Sequence, residues 1–330
     1  MGDLPRPALR GRRSVLIGLG ALAAGVVVDA VVPLRAQGAR TLTPDPAAFP
    51  GPDVLAAGEP GTDGAVPADS TPEPAAASPA APAAPPAAAR QAPSEADVVA
   101  EFSGRQPTEW GLKVAGVVTT SAAAQIALTF DACGGPGGSG CDHRLLAALR
   151  HHGVPATLFV NQRWIEANPG LARELAADPL FELANHGTRH LPLSVTGKRA
   201  YGIAGTAGVA EVYREIMGNQ QALQRLTGRP PRFFRPGTAY YDEVAAALTR
   251  RAGLLPVNFS VNADAGATLP APAVAAALAK AAAGDIVIAH FNRPGSGTAA
   301  GFEQALPQML GQGKSFAHLG AVLPAGPAAL

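Results

Sequence analysis

"QIALTFDACGGPGGSGCDHRLLAALRHHGVPATLFV" (residues 125–160) decides the fold. Its first six residues, "QIALTF" (125–130), form a short apolar run that reads as a buried strand. "DHRLLAALRHHG" (142–153) carries apolar residues at helical spacing and stops at a glycine, as a capped helix does. Strand character returns at "ATLFV" (156–160). Strand, helix and strand in so short a span make one crossover unit. Such units join parallel neighbours, because a tight turn cannot.

Outward from this unit the rhythm repeats. Helix "PGLARELAAD" (169–178) leads to strand "FELA" (181–184), and helix "AGVAEVYREIMGNQQALQRLTG" (207–228) to strand "RFFR" (232–235). Helix "DEVAAALTRRAG" (242–253) precedes strand "LLPVNFSV" (254–261), and helix "PAVAAALAKAAAG" (272–284) precedes strand "DIVIAH" (285–290). Helix "GFEQALPQML" (301–310) and strand "SFAHLGAVL" (315–323) close the series. Seven strands alternating with helices in about 225 residues fit a closed α/β barrel one unit short of eight. An open doubly wound sheet is the alternative.

The N-terminal third has a different composition. "RGRRSVLIGLGALAAGVVVDAVVPLRAQGA" has a basic start with Arg12-Arg13, an apolar run over 14–28 and small residues near Ala36–Ala39. That is the layout of an export signal, and the paired arginines resemble the twin-arginine type. An uncleaved membrane anchor is the alternative, but the run is short of the ~20 residues a span needs and Asp29 interrupts it. Residues 1–38 are therefore expected to be a cleaved signal. Residues 39–100, centred on "STPEPAAASPAAPAAPPAAARQAPSEAD", lack the large apolar side chains that offset ordering entropy and are expected to be a disordered spacer. Residues 101–330 are expected to form the folded domain. A net charge of +1 with 15% charged residues gives no sign of a nucleic-acid partner. No stable membrane span is expected after signal cleavage, and the sequence does not indicate an oligomeric state.

In α/β barrels the catalytic groups stand at the carboxyl ends of the strands. The exits here are Asp131, Asn185-His186 with His190, Arg235, Asn262 with Asp264, and His290. Five of seven predicted strands thus deliver an ionisable or amide side chain to one rim. His186 and His190 are spaced so that both imidazoles can face one ion. His290 ends an apolar strand, where a histidine suits proton donation. Arg235, after two phenylalanines, suits the orienting of a carboxylate. Two histidines, a carboxylate and a separate acid are the parts of a metal-dependent amide hydrolase. His143, His151, His152 and His318 read as surface or structural.

"LTFDAC", "ELANHGTRHLP", "FFRPGTAYYD", "FSVNADAG" and "IVIAH" together resemble, in order and spacing, the five motifs of the polysaccharide deacetylase (NodB-like) family of carbohydrate esterases. The resemblance covers about residues 123–324. It implies a distorted (β/α)7 barrel that removes N-acetyl groups from amino-sugar polymers such as peptidoglycan or chitin-like glycans. It also implies Asp131 as general base, His186 and His190 as ligands of a divalent metal (zinc first), Arg235 as the residue holding Asp131, and His290 as general acid. The family's second aspartate, its third metal ligand, is Ala132 here. Gly187 stands where a Ser or Thr usually supports the second histidine, the third motif has one proline rather than two, and Asn262 replaces an aspartate. These departures mark a divergent branch. Asp131 itself or Asp142 could complete the metal site, with Asp264 as a further ligand or support.

Cys133 and Cys141 bracket "GGPGGSG" on the same loop. In an exported protein they are expected to pair, closing a short loop for about 2–3 kcal/mol in the chain-entropy model. Thiolate ligation in place of the lost aspartate is the alternative. Tyr240, Tyr241 and Trp164 could stack on a sugar, though core packing fits each better. Loops 191–206 and 291–301 are positioned to wall the site. Two functions follow from these residues. One is an exported metal-dependent deacetylase; the other is a glycan- or cell-wall-binding barrel that has lost catalysis with the ligand at position 132.

Overall fold

The computed structural model describes residues 92–324. The expected signal peptide and most of the expected spacer lie outside those residues. Among the described residues there are nine strands: β1 (Ala127–Ala132), β2 (Ala156–Val160), β3 (Phe181–Asn185), β4 (Arg199–Ala200), β5 (Ile203–Ala204), β6 (Phe233–Phe234), β7 (Leu255–Pro256), β8 (Val261–Asn262) and β9 (Ile286–His290). Seven form one all-parallel sheet in the order β7-β6-β3-β2-β1-β9-β8, while β4 and β5 make a separate antiparallel hairpin. β1, β2 and most of β9 are buried along their length, as strands covered on both faces must be.

The sheet is curled into a distorted barrel, and the chain itself requires it. β7 and β8 are consecutive in sequence yet lie at opposite edges. Residue 256 and residue 261 can be at most about 18 Å apart along an extended backbone. A flat seven-stranded sheet would hold its edges about 29 Å apart. The expected single strand at 254–261 is therefore two short strands joined by residues 257–260, which bridge the two edges.

The expected seventh strand at 315–323 is not a strand. Phe316 makes one isolated bridge to Ile126, and Leu319–Val322 is a short helix. Leu319 and Leu323 pack with Ala127, Phe233, Leu255 and Ile286, so this segment plugs the amino end of the barrel instead of extending the sheet. Its alternating apolar residues fit either role; the barrel end supplies the better burial.

A second correction concerns the spacer. Residues 95–102 form a helix, with Ser94 and Asp97 making a reciprocal capping box, so the folded unit begins before residue 100. Val98 and Phe102 are buried in the same cluster as Val212, Ile216 and Leu248. Among the described residues, no helix is long and apolar enough to cross a membrane.

Strand alternation sets what each face carries. Leu128, Phe130 and Ala132 of β1 belong to the cluster beneath the outer helices, with Val160, Trp164 and Phe302. Thr129 and Asp131 point to the other side, into the barrel. Parallel register then aligns the strand ends. Asp131 pairs with His290 and with Phe159, and Asn185 pairs with Phe234, so the exits of β1, β9, β3 and β6 open on one rim.

Candidate active site

Asp131 sits at the centre of the rim, 2% exposed. Its Oδ1 accepts from Arg235 Nη1 at 2.7 Å, and its Oδ2 lies 3.5 Å from His186 Nε2. Burial would raise its carboxyl, but the charges of Arg235, His186 and His290 outweigh burial and hold it below the ordinary value. Arg235 is fully buried and its donors are engaged: Nη1 also reaches Thr129 Oγ1 (3.0 Å), Nη2 reaches the Asn258 carbonyl (3.0 Å) and Nε the Val257 carbonyl (3.3 Å). Its guanidinium stacks on Phe159 at 4.1 Å. The bridging residues 257–260 thus clamp the arginine that clamps the aspartate.

His186, 1% exposed, donates from Nδ1 to the Arg235 carbonyl at 2.9 Å. A carbonyl can only accept, so Nδ1 carries a proton, and Nε2 is the nitrogen that faces Asp131 and Cys133. His190 lies ring to ring with His186, at 4.9 Å between centroids and 81° between planes. It takes a left-handed backbone conformation (φ 65°). Thr238, Ala239, Ala265 and Ala267 do the same in neighbouring exit loops, and such strain clusters at functional sites.

Two glycines are required by this packing. A Cβ on Gly237 would collide with the His190 backbone and ring, and Gly187 (φ 79°) would place a Cβ 2.6 Å from Glu215 Oε1. Glu215 itself was not singled out from sequence. It is buried on the helix Val209–Thr227, and its carboxylate accepts from the backbone N–H groups of Arg189 (2.9 Å) and Leu191 (3.2 Å). It holds the histidine loop, whose Gly187 stands where a Ser or Thr usually supports the second histidine in the resembling motif. Asn161 adds Nδ2 contacts to the carbonyls of His186 (3.0 Å) and Gly187 (2.7 Å). The available signal was polar side chains, Glu215, Asn219 and Gln220, on the face where Val212, Ile216 and Leu223 are buried.

His290 ends β9, next to Asp131. Asp264, fully buried, accepts from His290 Nδ1 (2.9 Å), from the His290 backbone N–H (2.7 Å) and from Thr298 Oγ1 (3.0 Å). Burial disfavours the imidazolium, but the bonds to Asp264 and Cys133 outweigh it and hold the ring well above its ordinary value. Asp264 thus supports His290. Asp142 is elsewhere: it caps the helix His143–His151, with Oδ1 accepting from Leu145 N–H at 3.2 Å. Asn262 shapes a turn by accepting from Ala265 N–H.

The cysteines do not pair; both are free. Cys141 packs against the outer core cluster, where burial, with Asp142 and Glu174 adding, pushes its thiol up to about 12. Cys133 instead turns into the site, with Sγ 4.0 Å from His186 Nε2. Burial opposes its ionisation, yet the charge of His190 and hydrogen bonds from His186, His190 and His290 hold its thiol well below the ordinary value. Among the described residues the one group placed to hold a metal ion is Cys133, His186 and His190, whose donor atoms lie within 4.8 Å of one another. Two imidazoles and a thiol are zinc-type donors, so the residues present fit a divalent ion.

Trp164 and Tyr241 are core residues, bonded to the Gly140 and Phe234 carbonyls. Tyr240 is half-buried between Trp110 (5.5 Å) and Tyr201 (5.4 Å), which stands at the tip of the β4–β5 hairpin. Loop 191–206 therefore brings an exposed aromatic onto the loop that follows Arg235.

The polysaccharide deacetylase profile matches residues 119–257. A chitooligosaccharide deacetylase from Bradyrhizobium sp. (strain ANU 289) is 31% identical over 136 residues, 41% of this chain and 55% of the relative. The peptidoglycan-N-acetylglucosamine deacetylase PgdA of Listeria monocytogenes is 30% identical over 223 residues, 67% of this chain and 43% of the relative. The chain spans about half the length of these curated relatives. A CE4-family pseudoenzyme from Bacillus anthracis superposes with a TM-score of 0.53 at 18% identity, over 65% of this chain and 70% of that one. PdaA of Bacillus subtilis, a family 4 carbohydrate esterase, gives 0.52 at 19% identity, over 71% and 92%. At those identities the superpositions bear on the fold alone.

Proposed function

We propose that this chain, which matches the polysaccharide deacetylase family over residues 119–257, is a metal-dependent hydrolase removing N-acetyl groups from an amino-sugar polymer, peptidoglycan or a chitin-like glycan. One observation carries the proposal. Asp131, ion-paired to Arg235, and His290, held by Asp264, stand on adjacent strands in register beside a Cys/His/His cluster. The printed activities of the Bradyrhizobium and Listeria relatives support the substrate class. An Arg12-Arg13 export signal would carry the domain to a cell-wall substrate.

His186 and His190 would hold a divalent ion, zinc first, which would polarise the acetyl carbonyl and lower the pKa of bound water. Asp131 is the general base. Arg235 fixes Oδ1 and keeps the carboxylate ionised, which leaves Oδ2 facing the cluster to take a proton from water. His290, bonded to Asp264 through Nδ1, presents Nε2–H to the leaving nitrogen. The water oxygen ends in acetate, the C–N bond breaks, and the amine departs with the proton from His290. The Asp264 carboxylate stabilises the imidazolium until that transfer.

A second reading rests on Ala132, which cannot coordinate: a glycan-binding barrel without catalysis. Acetate release from acetylated chito-oligosaccharide and from peptidoglycan, titrated with zinc and other divalent ions, decides between them. The expected result is metal-dependent release that chelation abolishes and that Asp131→Asn lowers by about 10²- to 10⁴-fold in kcat/KM. Glycan binding with no acetate release at any metal concentration would leave the second reading.

A further inference from the structure

Ala132 removes a carboxylate from the expected metal site, and the geometry of β1 shows where a replacement enters. Side chains along a strand alternate. Asp131 points into the barrel, Ala132 points outward into the cluster of Val160 and Trp164, and Cys133 points inward again. We infer that the Cys133 thiolate is the third protein ligand, making a Cys-His-His site that takes zinc or another thiophilic divalent ion in preference to magnesium or calcium. This rests on the metal-dependent reading above and specifies the donors of that same site.

Four observations bear on it. Cys133 Sγ and the two imidazoles bring their donor atoms within 4.8 Å of one another. Donors about 3.6 Å apart are what tetrahedral zinc with one sulfur and one nitrogen ligand implies, so the 4.0 Å between Sγ and His186 Nε2 needs only a small contraction. His186 commits Nδ1–H to the Arg235 carbonyl, the outer contact that ligating histidines use, which leaves Nε2 as the nitrogen that would meet an ion. Cys133 has no disulfide partner, and Arg163 Nη2 grips its carbonyl at 3.3 Å where the glycine loop begins. Soft thiolate replacing hard carboxylate moves selectivity away from oxygen-preferring ions. As the sulfur–metal bond forms, the thiol proton leaves to solvent and no electron is transferred.

The test uses the full chain, stripped of metal and reloaded with cobalt(II). One equivalent of cobalt should bind and show the near-ultraviolet thiolate-to-cobalt charge-transfer absorption. Cys133→Ser should lose that absorption and weaken zinc binding beyond the roughly 10- to 100-fold that outer contacts cost. Cys133→Asp should recover binding without the absorption and accept harder ions better than the native chain. Cys141→Ser should keep the absorption. Stoichiometric cobalt without the absorption, or an absorption that survives Cys133→Ser, overturns the inference while leaving a metal-dependent enzyme in place. The absorption present with no acetate release on any substrate supports the ligation and removes the hydrolase. No metal binding at all overturns both.

Discussion

Asp264 holds His290 at two points, Nδ1 on Oδ1 at 2.9 Å and the backbone N–H on Oδ2 at 2.7 Å, and Thr298 Oγ1 donates to that same Oδ2. The carboxylate therefore sets both the orientation of the ring and its affinity for a proton. His290 is raised well above its ordinary value because the bonds to Asp264 and Cys133 outweigh burial. Asp264→Asn keeps the shape and removes the charge, so the imidazolium becomes easier to deprotonate. The alkaline limb of kcat/KM for acetate release should move to lower pH, and the NMR titration of His290 should move with it. A limb that stays in place would show that Asp264 does not govern the acid. At this scale Asp131, Arg235 and His290 were legible as polar residues ending apolar strands. Cys133 was harder to place, because exported cysteines a loop apart ordinarily pair, and only the inward turn of β1 sets one thiol on the histidines and the other on the core.

The helix Val209–Thr227 positions the histidine loop from behind. Glu215, with its side chain fully buried, accepts backbone N–H groups of Arg189 and Leu191, and Asn219 reaches the Val160 carbonyl at 2.8 Å. Glu215→Ala would orphan these donors and should cost about 2–4 kcal/mol by denaturant unfolding, with a lower zinc affinity because His190 loses its support. Glu215→Gln, which keeps one carbonyl oxygen, should lose less. Burial raises the Glu215 carboxyl above its ordinary 4.5, more than the backbone N–H bonds lower it. The native state then binds this proton more tightly than the unfolded chain. The Glu215 contribution is full below 4.5 and is lost as pH rises through the folded value. Glu215→Gln should flatten that part of the stability–pH curve, and an unchanged slope would assign it to another group. The helix was legible from its period; its inward polar face was not recognised as a support, because the N–H groups Glu215 serves lie 24 and 26 residues away in sequence.

For the molecule as a whole, closure of the sheet brings the functional groups together. Residues 257–260 carry the chain from one sheet edge to the other, and their carbonyls at Val257 and Asn258 bind Arg235 on the way. Asn258 is tied in turn to the Val118 carbonyl at 2.7 Å through its N–H and to the Ala239 carbonyl at 2.8 Å through Nδ2. The helix Glu95–Phe102 belongs to the same folded unit. Phe102, 2% exposed, packs in the cluster with Ile216 and Leu248, so Phe102→Ala should lower stability by about 3–5 kcal/mol while leaving the metal site's cobalt spectrum unchanged. Loss near zero would mean that this helix is an appendage.

By itself the sequence determined the parallel βαβ rhythm, the strand ends at which Asp131, His186, Arg235 and His290 stand, and the family they point to. Those features are local: apolar period, caps and the residue that follows each strand. Tertiary structure alone decided that residues 254–261 serve two sheet edges, that residues 315–323 plug the barrel, and that Asp142 caps a helix. It also decided that Cys133, not Cys141, meets the histidines. Each of these depends on which of several satisfactory burials is available once the sheet curls, and that is a property of the closed barrel rather than of any stretch of chain.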